Sequence, residues 1–185
     1  MRSLRYGEGH QRGGGLTSAC SRRRRGAEPR SYESDVCAFA AEALIVRGMS
    51  ELLAGRVQVG LGDASRWLKL FNAAYSAKLR MSVVPGSLNI ALDHVFDWFD
   101  ARYEAHRIWF GRKEYGGERD ILLLPCKLVS LDHRRAFLWT PTTAARDRRD
   151  PWVVEIVADV NLRDQFGLQD GDLVEVRVPT SGVQR

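Results

Sequence analysis

Ser87 and Asn89 stand two positions apart in the apolar stretch VVPGSLNIAL (83–92), offering a hydroxyl and a carboxamide oxygen. Side chains alternate between faces in an extended strand, so Ser87, Asn89 and Ala91 share one side and Leu88, Ile90 and Leu92 the other. Two neutral oxygens on one face suit a partial Mg²⁺ site, because Mg²⁺ keeps several waters and is often completed by substrate phosphates. The same spacing also fits two ordinary polar residues on a solvated strand face. A second group is the loop GLGDASR (60–66). Glycines there let the backbone approach a ligand and aim N–H groups at phosphate oxygens. It is neither GxxxxGK[ST] nor a full GxGxxG, and a plain turn is the alternative. The third group lies in EIVADVNLRDQF (155–166), which sets a carboxylate, Glu155, in an apolar strand and an arginine, Arg163, on a short turn. Glu155 could hold or deprotonate a hydroxyl, and Arg163 could meet a phosphate or a ribose. Arg163 could equally form a surface ion pair with Asp159 or Asp164. His94, His106 and His133 have no metal-ligand spacing and receive no role.

The elements that must position these groups are mostly short strands. Alternating Val57 and Val59 predict a strand over 55–62 that ends in the glycine loop. Trp67, Leu70, Phe71, Ala74 and Tyr75 recur at helical spacing within 66–81. Further strands are predicted over 87–92, 120–129, 135–140, 151–158 and 173–178, with a hairpin turn at Asp132 and His133. Residues 161–166 suit a helical turn, Gly167 a helix stop, and Asp170 with Gly171 a tight turn. The segment 35–46 could form a short amphipathic helix. Six or so strands with small helices between them predict a compact β-barrel.

Length and charge bound the rest. At 185 residues, 44% of them hydrophobic, the chain suits one domain with a real core. Its net charge of +5 is unevenly placed. Residues 1–48 hold nine arginines, no lysine and five acids, a net of +4, leaving +1 for the other 137 residues. The Arg, Gly and Ser-rich stretch before residue 35 has too little apolar surface to offset its ordering entropy and is expected to be disordered. Its run Arg22 to Arg25 reads either as a solvated tail or as an anchor on nucleic acid. The abrupt change in composition, with Met49 just ahead of the first strand, also suggests a start site placed too early. The expected organisation is a basic tail (1–48), a barrel domain (49–180) and a short C-terminal tail (181–185). Cys20, Cys37 and Cys126 form no CxxC pattern, which points away from a disulfide framework or a zinc site and toward a reducing, cytoplasmic setting. No apolar run approaches the roughly 20 residues of a membrane span, and no membrane partner is expected.

In order along the chain, GRVQVGLGDASRWLKL, PGSLNIAL and VVEIVADVNLRDQFGLQDGDLVEV resemble the CTP-dependent riboflavin kinase family known best from archaea. The resemblance spans about 52–178. It implies a six-stranded cradle-loop barrel, mainly β, that transfers the γ-phosphate of CTP to riboflavin to give FMN and CDP with Mg²⁺. It further implies that Gly60, Leu61, Gly62, Asp63, Ala64 and Ser65 lie along the nucleotide phosphates, and that Ser87 and Asn89 hold Mg²⁺. Glu155 would be the catalytic carboxylate on the flavin side, and Val160, Asn161, Leu162 and Arg163 would contact the nucleotide. A flavin-binding threonine falls at Thr142 or Thr143, with Thr143 the expected contact. Ala64 and Ser65 replace a glycine and a basic residue of the family loop, with Arg66 one position later; Ser87 replaces a threonine. The substrates would be the partners of a monomeric cytoplasmic enzyme. The alternative is a barrel without turnover, a regulator that binds flavin or nucleotide, or nucleic acid through the arginine-rich tail.

Overall fold

A computed structural model describes residues 49–60, 63–147 and 150–182. The expectations for the basic tail, the helix at 35–46, and Leu61 and Gly62 lie outside these residues. Seven strands occur in the described chain: β1 (Ser50–Gln58), β2 (Leu88–Leu92), β3 (Ile108–Phe110), β4 (Ile121–Leu128), β5 (Arg134–Pro141), β6 (Val153–Val157) and β7 (Leu173–Pro179). All pairings are antiparallel, in the order β3-β4-β5-β6-β2-β1-β7. A further pairing of β4 with β7, Lys127 opposite Arg177 and Leu128 opposite Val176, closes six strands into a barrel and leaves β3 as an appendage on β4. The expected six strands are therefore all present. Two details differ: β1 begins earlier, at Ser50, and β2 begins at Leu88, so that Ser87 precedes the first paired residue.

The side-chain alternation sorts the barrel into two apolar layers. Leu53, Val57, Leu88, Ile90, Leu124, Leu138, Ile156 and Val176 point inward and pack together with the buried thiol of Cys126. Their intervening neighbours Leu123, Phe137, Trp139 and Val157 point outward, where they meet Ala64, Leu68, Tyr75 and Leu79. Those four belong to a helical layer, α1 (Asp63–Leu70) and α2 (Asn72–Leu79). The single helix suggested by the spacing is interrupted only at Phe71, where φ is −112° and ψ 25°. Asn72 and Ser76, one helical turn apart, bind the carbonyl and the N–H of Val83, while Val84 N–H donates to the Ala158 carbonyl. The segment that leads into Ser87 is thus pinned from both sides.

Short connections complete the frame. The β4–β5 hairpin turns at Asp132 and His133, both with φ near 50°, and the Arg134 N–H closes onto the Leu131 carbonyl, as in a mirror-type hairpin turn. Three helices, α3 (Arg112–Tyr115), α4 (Thr142–Asp147) and α5 (Leu162–Phe166), and the 3₁₀ helix Ala101–His106 lie in loops. Asn161 caps α5, accepting from the N–H groups of Arg163 and Asp164, and Gly167 ends it at φ 64°. No helix among the described residues is long and apolar enough to cross a membrane.

His106 sits 5% exposed where the C-terminal segment returns over the 3₁₀ helix, its Nε2 3.2 Å from Ser181 Oγ. Burial holds its pKa below the ordinary value of 6.5, offset in part by the hydrogen bond it donates to the Thr180 backbone. The unfolded chain then binds a proton more readily than the folded one, so stability is full above pH 6.5 and declines as pH falls toward the depressed value. Urea midpoints measured from pH 7.5 to 5 should fall, and His106→Gln should flatten that slope at a cost of about 1 kcal/mol at neutral pH. An unchanged slope in the variant would assign the acid sensitivity elsewhere.

Candidate active site

The pairing register brings two of the sequence's candidates, Asn89 and Glu155, into one row. Gln58 stands opposite Asn89, Asn89 opposite Glu155, and Glu155 opposite Trp139, so β1, β2, β6 and β5 each contribute one outward-facing side chain. Paired residues of antiparallel strands point to the same face, and adjacent strands lie about 4.8 Å apart. The row forms the floor of a cavity of about 610 Å³. This volume is in the range of small-molecule sites. Gly60 and Ala64 line one end, beside Arg66 and Trp67; Thr140, Pro141, Ala144 and Ala145 line the other.

Ser87 precedes this row and does not line the cavity, and the polar atoms in and around the row are unevenly satisfied. Ser87 Oγ donates to Glu155 Oε2 at 2.9 Å. Its proton is thereby directed away, and its lone pairs stay available. Asn89 is only 8% exposed, and its Oδ1 is buried without a hydrogen-bond partner. A buried acceptor left unpaired costs about 1–3 kcal/mol. The solvated strand face that the spacing alone would allow does not occur at Asn89. A hydroxyl with free lone pairs beside an unpaired amide oxygen fits a hard cation such as Mg²⁺, which takes oxygen ligands. Among the described residues there is no group of three or more His, Cys, Asp or Glu that could hold a metal. Gly60 is shaped by the same amide: a Cβ there would lie 1.8 Å from Asn89 Nδ2.

The other candidates are placed differently. Ser65 is exposed on α1 and does not line the cavity, whereas the Ala64 methyl is buried under the helical layer and also lines it. Asp63 opens α1. Val160, Asn161, Leu162 and Arg163 are not among the lining residues. Asn161 spends its side chain on the α5 cap, and Leu162 is buried in the barrel core. Arg163 pairs with Asp170 at 2.7 Å and donates to the Gln58 carbonyl at 2.8 Å, not to Asp159 or Asp164. Asp159 instead holds Arg134, and Asp164 accepts from Asn161. Arg163 therefore braces the strand end from which the glycine loop departs. Thr143 is exposed on α4, Thr142 is buried, and neither lines the cavity; Thr140, two residues before, does.

Several groups escaped the sequence reading. Trp139 Nε1–H donates to Tyr75 OH at 3.3 Å beneath the floor, and burial pushes the Tyr75 phenol well above its ordinary pKa. Tyr115, Glu118 and Arg119 form part of the rim. The only signal for Trp139 was its place in the alternation of β5, which becomes informative once its pairing with Glu155 is known.

Residues 57–178 match the model of the family labelled CTP-dependent riboflavin kinase and described as "Domain of unknown function DUF120". The chain belongs to this family. Among its relatives is a riboflavin kinase of Methanocella arvoryzae, 33% identical over 131 residues, covering 70% of this chain and 58% of the relative. The riboflavin kinase of Staphylothermus marinus is 27% identical over 124 residues, covering 67% of this chain and 88% of the relative. That of Pyrobaculum aerophilum is 29% identical over 141 residues, with 68% and 60% covered. The chain thus spans less than two thirds of two of these three relatives.

Because Gly60 has an ordinary φ, the constraint on it is steric. Gly60→Ala should displace the Asn89 amide and leave the barrel intact. Thermal unfolding should shift by less than about 3 °C; on the kinase reading proposed below, Mg²⁺-dependent nucleotide binding, followed by titration calorimetry, should weaken at least about tenfold. Unaltered binding would show that the Gly60–Asn89 contact has no part in the site.

Proposed function

We propose that this chain is a riboflavin kinase that transfers the γ-phosphoryl group of CTP to the 5′-hydroxyl of the ribityl chain, giving FMN and CDP. The observation that carries the reading is the unpaired oxygen of Asn89, a residue of the cavity floor that adjoins Gly60 and pairs across strands with Glu155, the acceptor of the Ser87 hydroxyl. Membership of the family supports the acceptor and the choice of CTP.

Phosphoryl transfer requires chiefly positioning and charge neutralisation. The glycine loop from Gly60 and the start of α1 supply backbone N–H groups for the phosphates, and Arg66 at the cavity edge adds a positive charge. Ser87 and Asn89 would hold Mg²⁺, which supplies charge neutralisation on the triphosphate when bound. Glu155 lies one strand further along the row, toward the acceptor end. It orients the ribityl hydroxyl and takes its proton as the oxygen–phosphorus bond forms and the bond from the γ-phosphorus to the bridging oxygen breaks, releasing CDP. Ser87 steadies this carboxylate through its hydrogen bond. The activity belongs to the barrel domain, 49–180, as a monomer in the cytoplasm, and a chain starting at Met49 retains it.

The test is a panel of CTP, ATP, GTP and UTP with riboflavin and Mg²⁺, read by chromatography of FMN. CTP should be the best donor, and absence of FMN with every nucleotide would refute the reading. Asn89→Ala should lower the rate at least about 100-fold, yet its melting temperature should stay level or rise, because an unpaired buried acceptor is removed. Loss of activity accompanied by a large fall in melting temperature would mean that Asn89 is structural.

A further inference from the structure

Arg119 lines the cavity, and its backbone is tied down at several points. The loop that carries it runs from the end of α3 to β4. Asp120 fixes it twice: Oδ1 accepts from Arg112 N–H at 2.8 Å, and its carbonyl accepts from Thr142 N–H at 2.9 Å. Tyr115 OH donates to the carbonyl of Arg119 itself. Tyr115 packs against Tyr75, ring centroids 5.8 Å apart, and the Tyr75 oxygen accepts from Trp139 Nε1–H, the floor residue paired with Glu155. Two hydrogen bonds joined by this ring contact therefore connect the cavity floor to the backbone of Arg119. The guanidinium at its end makes no ion pair with a described residue.

We propose that Arg119 determines acceptor specificity by donating to the carbonyl-bearing edge of the planar flavin ring. The inference rests on the kinase reading above and extends it to the ring. Three observations carry it. Arg119 borders the junction of β5 and α4, because Ile121 pairs with Pro141. From β1, which carries the glycine loop, to β5 is three strand spacings, roughly 14 Å, which places Arg119 beyond Glu155 on the acceptor side. This end is walled by Tyr115, Ile121, Trp139 and Pro141, flat or apolar surfaces suited to an aromatic ring. The carboxylate of Asp150 lines the same cavity. The dione edge of a flavin alternates acceptor, donor and acceptor; a guanidinium serves the oxygens and a carboxylate the N–H between them. Tyr115 is a positioning residue for Arg119.

The experiment uses the full chain and its Arg119→Ala, Arg119→Lys and Tyr115→Phe variants. Binding is followed by fluorescence quenching with riboflavin and with lumichrome, a ring that keeps the dione edge and lacks the ribityl chain; turnover is followed with CTP. Arg119→Ala should weaken both ligands about tenfold and raise the riboflavin KM to match, with the CTP KM within twofold of the parent. Arg119→Lys and Tyr115→Phe should fall between. An increase confined to the CTP KM would make Arg119 a phosphate contact and overturn the proposal, as would unchanged lumichrome affinity in Arg119→Ala. A parent chain that makes no FMN but binds lumichrome through Arg119 would refute the kinase reading alone. A parent that binds neither ligand would refute both.

Discussion

The pairing of β4 with β7 is the constraint on which the site depends. It closes six strands into a barrel, and closure ties the register of each strand to that of its neighbours on both sides. Register in turn decides which face each residue occupies, because the side-chain period is two. A slip of one residue in β2 would turn Asn89 into the barrel interior and expel Ile90, which is fully buried among Leu53, Val57 and Val176. Slipping would therefore bury an amide in an aliphatic core and expose a large apolar side chain, each an expensive change. The aliphatic side chains inside the barrel, Leu53, Val57, Ile90 and Val176 among them, thus hold the chemical row in place without lining the cavity themselves.

The outer layer carries a different division of labour. Helices α1 and α2 cover the outward-facing Leu123, Phe137 and Val157, and cap the end of the floor where Ala64 and Tyr75 line the cavity. The clamp of Asn72 and Ser76 on Val83, and the brace of Arg163 on the Gln58 carbonyl, fix the two chain segments that deliver Ser87 and Gly60. Both devices work through backbone atoms. They set where a loop or a strand end lies without drawing on the side chains of Asn89 and Glu155.

The extent to which this was legible in the sequence follows from what each feature depends on. All six barrel strands were readable, since alternation and turn residues are local signals. The three-residue β3 was not, because Ile108, Trp109 and Phe110 show no alternation and pair only where β4 offers an edge. Ser87, Asn89 and Glu155 could be picked out by residue type, yet the pairing of Asn89 with Glu155 and the hydrogen bond of Ser87 to it required knowing that β6 lies beside β2, a non-local fact. Arg163 illustrates the opposite case. An arginine near two aspartates suggests a local pair, whereas its actual partners, Asp170 and the Gln58 carbonyl, are set by how α5 packs on the end of β1.

The chemistry of the row also explains why its metal-binding candidates are neutral. Asn89 and Glu155 are direct cross-strand neighbours. An aspartate at position 89 would set two carboxylates side by side in a part-buried place, where like charges are destabilising and one of the pair would be driven to hold a proton. With a hydroxyl and an amide instead, Glu155 has no competing anion beside it and can accept the Ser87 hydroxyl proton in a hydrogen bond. A cation held by neutral oxygens alone is weakly bound until phosphates arrive to complete its shell. On the kinase reading, metal and nucleotide would bind together and leave together. The buried oxygen of Asn89 then keeps its cost in the free protein and is satisfied only in the loaded one.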